Sequence, residues 1–119
     1  MRITLMHMML PSRPPDVQAE ITLLPTEEGG RRTPAFSGYR PSHDLGVAGM
    51  TNDAVHEYVG CASLPPGATA TANMWLSRPE FQEGRLHPGL TFTVQEGGRI
   101  VGRGVITKVI NEVLLRSGT

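Results

Sequence analysis

At 119 residues the chain is long enough for one domain with its own core and too short for two independent ones. Eleven Lys and Arg balance eleven Asp and Glu, so the zero net charge excludes the broad basic footprint of a dedicated nucleic-acid binder, and any contact with RNA must be local. A single cysteine forms no internal disulfide and no apolar run approaches bilayer length, so the expectation is a reduced, cytoplasmic setting with no membrane partner.

Residues 1–10 carry one Arg among mostly apolar side chains and loosely imitate a signal peptide. Pro11, Pro14, Pro15 and Asp16 follow where a small-residue cleavage site would stand. The prolines at 11–15 predict a stiff extended linker, with the globular part starting after it. Val17, Ala19, Ile21 and Leu23 then alternate with Gln18, Glu20 and Thr22, the period-two pattern of a half-buried strand. Residues 27–32, Glu-Glu-Gly-Gly-Arg-Arg, read as a polar turn. Pro41 extends the segment before it, and residues 42–53 read as a loop without usable periodicity.

A second strand is predicted over residues 55–64, with its buried side left open between the Val55, Glu57, Val59, Cys61 set and the His56, Tyr58, Gly60, Ala62 set. Pro65, Pro66 and Gly67 close it, and residues 70–76 alternate again as a strand. Residues 77–89 form a long loop. Leu90, Phe92 and Val94 alternate with Thr91, Thr93 and Gln95, and Gly97-Gly98 marks a two-residue hairpin turn. Simple register then sets Glu96 opposite Arg99, Val94 opposite Val101, Phe92 opposite Arg103 and Leu90 opposite Val105. Residues 105–115 are expected to continue that strand. Gly102 and Gly104 inside it suggest a bulge or a sharp bend, which favours a closed barrel over a flat sheet. The expected organisation is an N-terminal arm and proline-rich linker over 1–16, a β-barrel domain over 17–115 and a disordered tail over 116–119. The arm is expected to pair on the barrel edge or to exchange between chains.

Few residues suggest chemistry. His7, His43, His56 and His87 have no zinc-ligand spacing and are expected on loops and the surface. Cys61 reads as core filler, and Trp75 and Tyr58 as barrel packing. Asp44, Asp53, Glu57, Glu80 and Glu83 form no recognisable acid/base pair. The glycines from 97 to 104 lie between two strands and so mark a hairpin, not a nucleotide loop, and no phosphate-cradling G-x-x-x-x-G-K-[ST] segment exists. No enzyme activity, cofactor, metal or GTP is expected.

Three segments carry a resemblance: residues 27–41 (EEGGRRTPAFSGYRP), residues 96–105 (EGGRIVGRGV) and residues 107–109 (TKV). In content, order and spacing they resemble the C-terminal β-barrel, domain III, of bacterial elongation factor Tu, over about residues 18–110 and least between 42 and 85. The resemblance implies an all-β, six-stranded antiparallel Greek-key barrel. In the intact factor this barrel helps grip the T-stem of aminoacyl-tRNA and contacts the GTPase domain and the exchange factor. The implied tRNA-backbone positions are Arg31, Arg32 (where the family has His), Glu96 and Gly97. Together with Tyr39, Arg40, Arg99 and Arg103 they make up the candidate binding residues. Two departures stand out. The family's aromatic strand after the GYRP motif is replaced by residues 42–49, and Arg103 stands where the family has Ala, beside Phe92 in simple register. A charge there is costly unless it is paired or wet, so either a bulge at Gly102 or Gly104 turns Arg103 outward or it lines a different contact surface. The expectation is a non-catalytic module that binds a protein partner, or a second copy, through Arg31, Arg32 and the 96–99 turn. The alternative is tRNA or another RNA at the same residues.

Overall fold

The computed structural model describes residues 10–117. The alternating segment at the start forms β1 (Val17–Leu23), in which Val17, Ala19, Ile21 and Leu23 are all buried. Seven more strands follow: β2 (Ala35–Phe36), β3 (Ser42–Asp44), β4 (Asn52–Tyr58), β5 (Ser63–Leu64), β6 (Thr69–Leu76), β7 (Thr91–Glu96) and β8 (Arg99–Val109). Six of them close into a barrel in the order β1, β6, β4, β3, β7, β8, with β8 returning to β1, and every neighbouring pair is antiparallel. Strands β3, β4 and β6 follow one another while β1 lies beside β6, so the first four barrel strands have the order of a Greek key. Closure leaves no free edge on the barrel. Strands β2 and β5 form a separate two-stranded ribbon.

Several boundaries differ from the sequence expectation. Residues 55–64 are not one strand. β4 begins at Asn52, and a turn at Gly60 separates Tyr58 from β5. The buried side of β4 is Asn52, Ala54, His56 and Tyr58, so Val59 and Cys61 are exposed, and Cys61 is not core filler. Residues 42–53 are not simply a loop, since Ser42–Asp44 forms the short strand that bridges β4 and β7. The last strand stops at Val109 and not at 115. The chain there turns through a single 3-10 turn, Glu112–Leu114, and Leu115 makes a parallel bridge with Leu86. Arg116 donates its amide to the Leu86 carbonyl at 2.7 Å.

The hairpin turn stands where the two glycines predict it, with φ of 57° at Gly97 and 83° at Gly98, the conformation that a type I′ turn demands. Its register departs from the simple one after a single step. Glu96 pairs Arg99 and Gln95 pairs Ile100, but Val94 then pairs Gly102, which leaves Val101 as an extra residue. This bulge falls one residue before the glycines expected to carry it, and it reverses the parity of β8. Val101 points into the core, Arg103 pairs Thr93 and is exposed, and Gly104 lies opposite Phe92. A Cβ on Gly104 would sit 2.2 Å from Phe92 Cζ, so the Phe92 ring occupies the space that a side chain at 104 would need.

The stretch before β1, expected as a stiff extended linker, is tied to the barrel through Asp16 and Arg13. Asp16 is fully buried, and its amide donates to the Met74 carbonyl at 2.8 Å. Its carboxylate accepts from Leu76 N, Arg13 Nη1 and Asn111 Nδ2, and its carbonyl accepts the amides of Ile110 and Asn111. One residue thus ties the entry of the barrel to its exit. Trp75, which has the outward parity of β6, is covered by this lead-in segment and donates Nε1–H to the Arg13 carbonyl. Among the described residues no buried side-chain nitrogen or oxygen lacks a hydrogen-bond partner. The expected edge or exchange strand at residues 1–10 lies, apart from Leu10, outside the described residues.

Candidate interaction surface

Arg31 joins two turns that are distant in sequence. The 3-10 turn Thr26–Glu28 ends at Gly29, and the Pro25 carbonyl accepts the amides of both Glu28 and Gly30, which folds the loop back on its own start. Thr26 Oγ1 donates to the Arg31 carbonyl and so fixes where that side chain leaves the loop. Arg31 Nη1 donates to Glu96 Oε2 at the end of β7, and Tyr39 donates its hydroxyl to the same oxygen. Arg31 Nε donates to the Thr33 carbonyl (3.2 Å), and Nη2 donates to Thr33 Oγ1 (3.3 Å) and the Pro34 carbonyl (3.3 Å). The guanidinium carbon also lies 4.6 Å from the centroid of the Tyr39 ring, within cation–π range.

The electrostatics follow from this packing. Partial burial works to raise the Glu96 pKa, but the hydrogen bonds from Tyr39 and Arg31 and the charges of Arg31 and Arg99 outweigh it and hold the carboxyl below its ordinary range. Burial works to lower the Arg31 pKa, and the Glu96 and Tyr39 partners more than reverse it. Tyr39 is pushed up by burial and by the bond to Glu96, so its hydroxyl stays a donor. The three side chains form an internal clamp that holds the 27–34 loop against the hairpin.

The other candidate positions surround this clamp or lie apart from it. Arg32, Arg40, Gly97 and Arg99 are exposed, and none of the three arginines forms an ion pair among the described residues. Neither Gly97 nor Gly98 donates its amide to another described backbone group, so the turn presents two N–H groups beside Arg99. Ile100, next along β8, is 43% exposed, and Phe36, between Pro34 and Tyr39, is 61% exposed. Arg103 stands on the outer wall of β8, in an open groove of about 550 Å³ whose other charged residues are Glu20 and Asp44. It lies four positions beyond Arg99, or roughly 13 Å along the strand.

Sequence reasoning missed the barrel's polar interior. His43 and His56 are both fully buried, not on the surface, with their Nε2 atoms 2.8 Å apart. The signal for His56 was the opposite face of β4, where Asp53 and Glu57 mark the outside and leave His56 and Tyr58 to the core. His43 gave no such signal, because a three-residue strand is too short to show a period. Cys61 stands apart from both histidines as an exposed thiol. Among the described residues no three His, Cys, Asp or Glu side chains are grouped to hold a metal, and no helix is long and apolar enough to cross a membrane.

Comparison with known families bears on this arrangement directly. The model of the elongation factor Tu C-terminal domain matches residues 12–110. The chain belongs to that family. Membership agrees with the closed six-stranded antiparallel barrel and makes the chain a module related to translation factors. The match begins at Ser12, so the lead-in that buries Asp16 falls within the elongation factor Tu domain. It ends at Ile110, before the Glu112–Leu114 turn.

Proposed function

We propose that this elongation factor Tu domain III-like barrel is a non-catalytic binding module that recognises a protein partner through the 27–34 loop and the 96–99 hairpin. The observation that carries the reading is the state of Arg31. All three of its guanidinium nitrogens bond within the chain, so Arg31 organises the surface and leaves contact with a partner to its neighbours. Those neighbours are Arg32 and Arg99, the glycine turn amides, and the apolar Ile100 and Phe36. Arginine beside exposed apolar groups is the composition of a protein interface core, and the zero net charge suits a protein partner better than a polyanion.

One observation favours RNA as a second reading. The unpaired guanidinium groups of Arg32 and Arg99 and the two free turn amides form a small, local set of phosphate donors. Affinity capture from a lysate with the full chain and with the Arg32→Ala/Arg99→Ala variant, each with and without nuclease, separates the two. A nuclease-resistant protein retained at both low and moderate salt, and lost in the variant, is the expected result. Retention that vanishes with nuclease or falls steeply with salt shifts the assignment to RNA. Retention unchanged in the variant removes this surface from both readings.

A further inference from the structure

The centre of the barrel holds two histidines and no carboxylate bonded to either. His43 on β3 and His56 on β4 are fully buried, and their hydrogen bonds define where the protons reside. His43 Nδ1 lies 2.9 Å from the Asn52 carbonyl oxygen, which can only accept, so Nδ1 carries the proton. His43 Nε2 is then an acceptor, and His56 Nε2, 2.8 Å away, must donate to it. That leaves His56 Nδ1 to accept from the Tyr58 hydroxyl at 3.1 Å. A single neutral chain satisfies every atom: Tyr58 O–H to His56, His56 N–H to His43, His43 N–H to the Asn52 carbonyl. A proton added to His43 Nε2 sets two N–H groups against each other at 2.8 Å. One added to His56 Nδ1 reverses the Tyr58 bond and leaves a cation in the core.

The surroundings offer that cation little. Tyr39, from the segment before β3, stands T-shaped to His56 with ring centroids 5.6 Å apart, and Phe92 on β7 stands T-shaped to His43 at 5.6 Å. Met74 on β6 is the register partner of His56. The charged group that acts on His43 is Asp53, exposed on the outer face of β4, and its pull is smaller than the cost of burial. Burial accordingly lowers the His43 pKa to about 4, and burial together with the His43 charge takes His56 well below its ordinary value.

The pair also lies at the seam with the fewest register pairs in the barrel. Strand β3 has three residues and meets β4 at only two register positions, Ser42 with Asp53 and His43 with Asn52. The seam continues through the stretch that leads into β3: Ala54 N donates to the Pro41 carbonyl at 3.1 Å, and the backbone of His56 grips the segment carrying Tyr39. His56 N donates to the Tyr39 carbonyl and the His56 carbonyl accepts from Gly38 N, both at 2.8 Å. Tyr39 is in turn the hydroxyl partner of Glu96 in the clamp. We propose that the His43–His56 pair is an acid-operated latch: proton uptake by the pair parts β3 from β4 and frees Tyr39 from the Arg31–Glu96 clamp, which dismantles the interaction surface. The loss of binding rests on the surface proposed above, whereas the opening of the seam does not.

The test uses the purified full chain. Long-range ¹H–¹⁵N spectra are expected to show the Nδ1–H tautomer at His43 and the Nε2–H tautomer at His56, both persisting as the pH falls below the ordinary histidine pKa of 6.5. In acid the unfolded chain binds protons that the folded chain refuses. For His43 the unfolding constant should therefore rise by about tenfold per pH unit between roughly 6.5 and 4 and level off once the folded form also protonates, and His56 should add to the rise below 6.5. In His56→Gln, whose amide can replace both hydrogen bonds without titrating, the part of that slope due to His56 should disappear. Hydrogen exchange in wild type should report opening at residues 42–44 and 52–53 before the β7–β8 hairpin. Reversed tautomers, titration of either ring near 6.5, or acid opening that begins at the hairpin would each overturn the latch. If His56→Gln fails to fold, the spectra and exchange order on wild type still decide. An intact latch with partner binding unchanged in acid would refute only the proposed surface.

Discussion

Arg31 and Arg32 are adjacent in sequence and should respond to truncation very differently. Arg31→Ala removes one charge-assisted bond to Glu96, three bonds to Thr33 and Pro34 at 3.2–3.3 Å, and the stacking on Tyr39. The ion pair is partly shielded, with the two side chains 19% and 31% exposed, so it is worth more than a surface pair and less than a buried one. Taking ~1–1.5 kcal/mol for the charge-assisted bond and ~0.5 kcal/mol for the cation–π contact, with the long bonds contributing little, gives about 2 kcal/mol. For a domain of this length that corresponds to a fall in Tm of roughly 8 °C, read by circular dichroism and checked by urea titration. Arg32→Ala, at an exposed and unpaired position, should stay within about 0.5 kcal/mol of wild type. Arg31→Lys should fall between, since it keeps the charge for Glu96 and loses the fork that reaches Thr33 and Pro34. Equal melting of the Arg31→Ala and Arg32→Ala proteins would refute the clamp.

Two further substitutions probe what holds the barrel closed. Gly104→Ala brings a methyl group 2.2 Å from Phe92 Cζ and 2.9 Å from Ile21 Cδ1, and overpacking of this kind should cost about 1–3 kcal/mol. Adding Phe92→Leu should recover part of that loss, and strict additivity in the urea double-mutant cycle would rule out the complementarity. Asp16→Ala strands the Leu76 amide and Asn111 Nδ2 without their acceptor, so a loss on the order of 3 kcal/mol is expected, together with faster proteolysis after residue 110. An unchanged melting curve would show that the entry and exit of the barrel are held by something else.

Much of the fold was legible in the chain because barrel strands with one buried face must alternate. β1 showed that alternation over seven residues, and the Gly97-Gly98 hairpin had both its turn chemistry and its flanking period. The candidate surface was legible only in its membership. Arg31, Arg32, Tyr39, Glu96 and Arg99 stand on the segments that resemble elongation factor Tu, but nothing local distinguishes Arg31, which bonds inward, from Arg32, which is exposed. Their partners come from residues 65 positions away in the case of Glu96.

What the sequence determined by itself was the class of the protein: glycine-punctuated alternating segments of one domain, free of charge bias, with three family segments in order. Tertiary structure decided the rest, and for one physical reason. A single unpaired residue changes which face a strand presents. The bulge at Val101 reverses the parity of β8, and this turns Arg103 to solvent and brings Gly104 against Phe92. Closure of the sheet, which no local window contains, brought β3 beside β4 and placed two histidines thirteen residues apart within one hydrogen bond of each other.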